Sequence, residues 1–111
     1  MPSIDQKITL VLNKNFGGYG LSRAASEEIA RRKGIKTRIE QSSFGDSLLV
    51  GDDGWDSISD VVRRDDQVLV DVVREMGKAA GRDLRIVEIT VTIEINDNDG
   101  YETVDVHGYE F

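Results

Sequence analysis

Nine residues from Val87 to Ile95 alternate without a break. Val87, Ile89, Val91, Ile93 and Ile95 fall on one side, and Glu88, Thr90, Thr92 and Glu94 on the other. A period of two over that length marks an extended chain, because successive side chains leave opposite faces of a strand. The pattern predicts a half-buried strand. Asn96 to Gly100 then supplies turn residues, and Tyr101 to His107 returns with Val104 and Val106 expected on the core side. The expected unit is an antiparallel hairpin with an acidic outer face. Glu94, Asp97, Asp99, Glu102 and Asp105 lie on that face or in the turn, and are the candidate residues for binding a partner.

A second strand is expected at Ile8 to Asn13, where Ile8, Leu10 and Leu12 alternate with Thr9, Val11 and Asn13. Ser3 to Lys7 reads as a polar lead-in. Asn13-Lys14-Asn15 ends the run, and Gly17, Gly18 and Gly20 make a turn whose backbone can take positive φ. Ser22 is a good N-cap for a helix that follows. A strand, a glycine turn and a helix N-terminus make a place where an anion could sit, with Lys14 adding charge. That reading makes Asn13, Lys14, Phe16, Gly17, Gly18, Tyr19, Ser22 and Arg64 candidate ligand-binding residues. The plainer reading is a tight turn, with Phe16 and Tyr19 plugging the end of the core. The turn is neither a P-loop nor a GxGxxG fingerprint.

Two helices are expected. One runs from about Arg23 to Lys33, closed by Gly34 in a left-handed cap. Its apolar face is thin, with Ala25 and Ile29 one turn apart, which suits close packing on a sheet. The other starts at Asp65 as N-cap, with Asp66 in its first turn. Val68, Val72, Met76 and Ala79 or Ala80 form its stripe, with Leu69 and Val73 beside it. Its β-branched run favours a strand by propensity. A strand with Leu69 and Val73 inward would bury Asp71, however, whereas a helix exposes it. Gly77 weakens the helix and Gly81 ends it. Between the helices, Ile35 to Gly54 fits two short strands or one long irregular loop. Trp55, the only tryptophan, is expected in the core or over the sheet edge. The expected fold is α+β: two helices on one mainly antiparallel sheet, in a single domain covering residues 1–111.

Charge is unevenly placed. From Ile86 to Phe111 there are seven acids and no Lys or Arg; the other 14 acids and all 14 bases lie before that point. Arg23 to Arg38 carries six of those bases against Glu27 and Glu28. A chain of net charge −7 is a poor generic nucleic-acid binder, since phosphate contacts need bases. No cysteine is present, which removes disulfides, thiolate metal sites and a cysteine nucleophile. Apolar runs such as Leu48–Val50 and Val68–Val70 are far too short to span a membrane. Met1-Pro2-Ser3 shows no leader, so a cytoplasmic location is expected.

Metal and catalytic sets are also missing. Aligning Gly100 with the glycine of an EF-hand loop puts Ile95 and Val106 at ligand positions, so the oxygen-rich turn fails as that motif. His107 is the only histidine and reads as a surface strand residue. No catalytic residue, cofactor or metal is therefore expected. Arg63-Arg64-Asp65-Asp66 reads as local ion pairs, or alternatively as Arg64 and Lys14 converging on one anion.

Three pieces together carry a resemblance. They are Asn13 to Ser22, then Arg64-Asp65-Asp66-Gln67-Val68-Leu69-Val70 with Glu75-Met76-Gly77, then Leu84 to Ile89 with Asp99-Gly100-Tyr101-Glu102. They resemble a family of small uncharacterised proteins of bacteriophages and large DNA viruses. Those proteins carry an NKxYGGF-like turn, an R-x-D-P-x-L-like helix start and a D-G-Y-E-like hairpin. Gln67 replaces the proline of that pattern, and Ile39 to Trp55 has no counterpart. The resemblance implies a viral setting, with the chain in the cytoplasm of an infected bacterium, and brings no activity with it. The function expected is that of an acidic interaction protein. It would bind and modulate a host or defence protein that has a basic surface. The alternative is a binder of a nucleotide or other phosphorylated anion on the glycine turn.

Overall fold

The computed structural model describes residues 3–110. Met1, Pro2 and Phe111 lie outside the described residues, as do the side chains of Asn98, Tyr109 and Glu110. The architecture is α+β, with five strands in two antiparallel sheets. In chain order the elements are β1 (Ser3–Asn13), α1 (Arg23–Lys33), β2 (Thr37–Ser42), β3 (Gly45–Val50), α2 (Ile58–Val61), α3 (Gln67–Met76), a 3-10 turn (Gly77–Ala80), β4 (Leu84–Asn98) and β5 (Tyr101–Glu110). No helix among the described residues is long and apolar enough to cross a membrane.

The larger sheet has the order β1-β4-β5. Ser3↔Glu94 through Asn13↔Leu84 pair β1 with β4, so the stretch expected as a polar lead-in is already strand. Asn98↔Tyr101 closes the hairpin of β4 and β5. Its loop is only Asp99-Gly100, both at positive φ (53° and 86°), which is the conformation that two-residue hairpins favour. The Gly100 N–H donates to Asp97 Oδ1 at 3.0 Å. The smaller sheet is the β2–β3 hairpin, which resolves the region from Ile35 to Gly54 in favour of two short strands.

The helices begin and end where their caps dictate. Ser22 Oγ accepts from Ala25 N at 3.1 Å, and Gly34, at φ 68°, closes α1. For α3 the N-cap is Asp66 rather than Asp65. The Asp66 carboxylate accepts from the amides of Val68 and Leu69, while Asp65 is held by Arg63 instead. The left-handed Gly77 (φ 57°) stops α3, and the chain tightens into the 3-10 turn up to Gly81.

The layering differs from two helices laid on a sheet. α3 packs on β1 and β4, and α1 packs chiefly on α3, α2 and the 3-10 turn. Ion pairs tie α1 to α3: Arg32 to Glu75 at 2.5 Å, and Lys33 to Asp66. Burial raises the Asp66 carboxyl, but hydrogen bonds from Lys33 and from the Leu69 and Val68 amides outweigh it and hold it below its usual range. Hydrogen bonds from Arg31 and Arg32 bring Glu28 down to about 2.

The core takes Val11, Ala25, Ile29, Ile58, Val62, Leu69, Val70, Val72, Val73 and Ala80, with Leu84 and Ile86 against its edge. The parity of these strand residues matters. Val11, Leu84 and Ile86 share one face of the large sheet, because Val11 pairs with Ile86 and Asn13 with Leu84. Val87, Ile89, Val91, Ile93 and Ile95 lie on the other face, with their partners Leu10, Ile8, Gln6, Ile4, Val106 and Val104. The helices therefore cover one end of the mostly polar face, and the alternating apolar row faces away from them. Val104 and Val106, expected on the core side, are 59% and 63% exposed. Trp55 is exposed as well, not core. The result is a head of helices and a small hairpin, from which the three-stranded sheet projects as an arm. The molecule measures 62 × 29 × 27 Å.

Candidate functional site

The glycine turn is held by its own polar groups. The Lys14 N–H donates to Asp83 O at 2.9 Å, and Asn15 Nδ2 donates to Arg82 O at 2.8 Å. The Asn15 N–H donates to Asn13 Oδ1 at 3.1 Å, and the Gly17 N–H donates to Asn15 Oδ1 at 2.6 Å. Farther on, Leu21 N–H donates to Ser59 Oγ and Ser22 N–H to Ala80 O. Ser22 Oγ, which caps α1, also donates to Ala79 O at 2.6 Å. The amides of Lys14, Asn15, Gly17, Leu21 and Ser22 are thus occupied within the protein. Gly18, at φ 89°, takes the positive-φ position of the turn.

Arg64 is engaged within the protein. Its guanidinium lies 3.4 Å from the centroid of the Tyr19 ring, and its Nη1 donates to Val11 O at 3.2 Å. The ring's negative face holds the cation, a contact that partial burial strengthens. Burial pushes the Tyr19 hydroxyl above its ordinary value, and the Arg64 charge offsets part of that rise. Tyr19 packs against the core, as the plainer reading of the turn expects. Phe16 does not: it is fully exposed, so it neither plugs the core nor walls a pocket. Lys14, Gly17 and Gly18 are exposed on the same turn.

These placements set an expected stability pattern. Phe16→Ala should change the unfolding free energy by no more than about 0.5 kcal/mol, as for other exposed positions. Tyr19→Phe should be neutral or stabilising. The hydroxyl is buried without a protein hydrogen-bond partner among the described residues, and removing such a group relieves its desolvation. Thermal melts of the two variants check this; a large loss from Phe16→Ala would contradict its exposed position.

The acidic residues of the arm divide between its two faces. Glu94 is paired across the strands with Asp105 on the polar face. Asp97 is paired with Glu102 on the apolar face, and Asp99 stands in the turn between them. Two like-charged pairs directly opposite one another are unfavourable in a sheet. Asn96 Nδ2 donates to Asp105 Oδ2 at 2.7 Å, and His107 Nε2 lies 3.8 Å from Glu94. The single acidic outer face expected from the alternation is therefore an acidic tip that presents carboxylates in both directions.

No protein-family model, no curated protein and no solved structure matches the chain. The site rests on geometry.

At the opposite end of the arm is a feature the sequence reading passed over. A cleft of about 640 Å³ lies between the end of α3 and the start of β4, and its lining includes Arg74, Lys78, Arg82 and Arg85, with Asp83 among them. These bases come from a helix, a turn and a strand, so no single run announces them. Their one signal is Arg74 and Lys78, four residues apart in the stretch that the sequence reads as one helix. A second groove, of about 410 Å³, runs between Tyr19, the start of α1, β3 and the serines Ser57 and Ser59.

Proposed function

We propose that the chain is an acidic interaction protein that binds a basic surface on another protein with the tip of its projecting arm. The observation that carries this reading is the pairing of Glu94 with Asp105 and of Asp97 with Glu102, with Asp99 between them. Like charges held opposite one another lose their repulsion when a basic groove meets them. Carboxylates at the end of an arm also steer a basic partner from a distance. With the resemblance to phage and viral proteins, the setting we propose is an infected bacterium, and the target a host or defence protein that the chain modulates or inhibits. The glycine turn has the amides of Lys14, Asn15, Gly17, Leu21 and Ser22 already bonded within the protein, which leaves fewer for an anion.

The test uses Glu94→Lys, Asp99→Asn and Asp105→Lys together, which alters the tip and its polar face. Asparagine keeps the positive φ of the turn acceptable. Proteins retained from a bacterial lysate by the unaltered chain at about 0.05 M salt should be released by about 0.3 M, where screening is much stronger. The triple variant should fail to retain them, while its circular dichroism is unchanged. Retention of the same proteins by the variant would refute the reading.

A further inference from the structure

We infer that the open apolar face of the arm is covered by a second copy of this chain, stacked face to face and antiparallel about a twofold axis at Val91. The sheet has the wrong character for a free arm. Its polar face carries Asp5, Lys7, Thr90, Thr92, Glu94 and Asp105, and the helices cover only the end at Val11, Leu84 and Ile86. The opposite face is apolar through five consecutive β4 positions, from Val87 to Ile95, and no helix packs on it. Ile4, Val104 and Val106 on that face are all more than half exposed. A contiguous apolar patch with a charged rim is the mark of an interface.

The area suffices. From Arg85 to Asp97 the face is about 40 Å long at the rise of a strand, three strands wide between Ile89 and Glu94 and two strands wide on either side. Two such faces bury about 1,000 Å², the threshold for a specific interface.

The pattern is self-complementary, which is what a twofold interface requires. Val91 is the midpoint: Arg85 lies six residues before it and Asp97 six after. An axis in the plane between the sheets, perpendicular to the strands at Val91, puts Ile89 over Ile93 and Val87 over Ile95 of the other copy. Arg85, paired with Leu12 at the head end, then falls over the Asp97–Glu102 pair at the other copy's tip. Gln6, the one polar residue in the middle of the β1 row, is paired with Val91 and so lies on the axis. It meets its own copy, and a primary amide can both donate to and accept from another. Two antiparallel sheets stacked about 10 Å apart are a standard sandwich. Glu94 and Asp105 remain outside the interface and open to a basic partner, whereas Asp97 and Glu102 are taken up by the second copy, so in the dimer that partner meets the polar face of the tip.

Analytical ultracentrifugation of the whole chain tests this. At about 100 µM, within the range of a standard-size interface, the unaltered chain should sediment as a dimer. Val91→Lys should give a monomer, because it places two ammonium groups together on the axis, whereas Thr92→Lys, one residue on and facing away, should stay dimeric. Arg85→Glu should weaken the dimer by more than about 100-fold, since each dimer then holds two sets of facing like charges. Adding Asp97→Arg to it should restore assembly. That rescue separates lost contact from lost folding. A monomeric unaltered chain at that concentration, a dimeric Val91→Lys, or an Arg85→Glu/Asp97→Arg pair that stays monomeric would each overturn the proposal.

Discussion

Leu69→Ala is expected to lower the unfolding free energy by about 3–5 kcal/mol, the range for a buried leucine that leaves a cavity. Leu69 is fully buried in the first turn of α3, with its own N–H on the Asp66 carboxylate. The large side chains fully enclosed by this core are few: Ile29, Ile58, Leu69, Val11, Val70 and Val72. Neighbours that are mostly valine are short and stiff at χ1, so they collapse poorly into a void. A domain of this size has about 5–15 kcal/mol of stability in all, so one such change removes a large part of it. Urea titration followed by circular dichroism measures the loss. A shift below about 1 kcal/mol would mean that α3 does not turn this side chain into the core.

Gly81→Ala should be the most damaging glycine substitution, by about 2–3 kcal/mol, and for steric reasons alone. Gly81 is extended (φ 166°), a conformation that any residue adopts. By chain entropy, alanine there would stabilise slightly. But its Cβ would stand 2.7 Å from Gly20 O and 2.8 Å from Leu84 Cδ1. The leucine can turn aside. The Gly20 carbonyl cannot, because the next two amides are fastened to Ser59 Oγ and Ala80 O. The turn would have to lift from the 3-10 segment. Gly20→Ala meets nothing within 4 Å and should be mild; Gly18→Ala also has space, but at φ 89° it should cost about 1–2 kcal/mol in backbone strain. Melting temperatures in the order Gly20→Ala, Gly18→Ala, Gly81→Ala, highest first, are the expected result. A melting temperature raised by Gly81→Ala would contradict the close approach.

What could be read ahead of the structure followed from local chemistry. α1 has the expected bounds because Ser22 and Gly34 each do one thing well: one offers a hydroxyl to the first amides, the other a left-handed backbone. α3 overrode a β-branched run because only a helix turns Leu69 and Val73 inward without Asp71 following them. Its start was misplaced by one residue because Asp65 and Asp66 are equally good caps on paper, and Arg63 takes Asp65. The alternation from Val87 to Ile95 located a strand, yet its orientation was not legible. A period of two separates two faces without saying which of them a distant helix will cover. The core chose Val11, Leu84 and Ile86, of the other parity. Which amides of the glycine turn are taken up internally was not legible for a related reason. Glycines and a cap mark where amides could point outward, but not that Asn13, Asn15, Ser59 and the 3-10 turn would engage them first. Arg64, expected in local ion pairs or beside Lys14 on an anion, lies over the Tyr19 ring, a partner that no local pattern announces.

The order in which the arm is put together follows from its strand pairing. β4 and β5 are neighbours in the chain and can zip from a two-residue loop within microseconds. β1 reaches β4 only across the whole head, since Asn13 meets Leu84 with 70 residues between them. Closing a loop of that length costs about 4 kcal/mol in chain entropy, before any constant term. The head makes that closure through Lys14 to Asp83 and Asn15 to Arg82, after which each further pair toward Ser3 closes no new loop. β1 therefore fastens from the head outward and peels from Ser3 inward. During synthesis at about 5–20 residues per second, β1 waits about 4–14 s for β4 to be made. Throughout that interval Ile4, Ile8, Leu10 and Leu12 have no strand beside them, and β1 is the part of the nascent chain with most need of a chaperone.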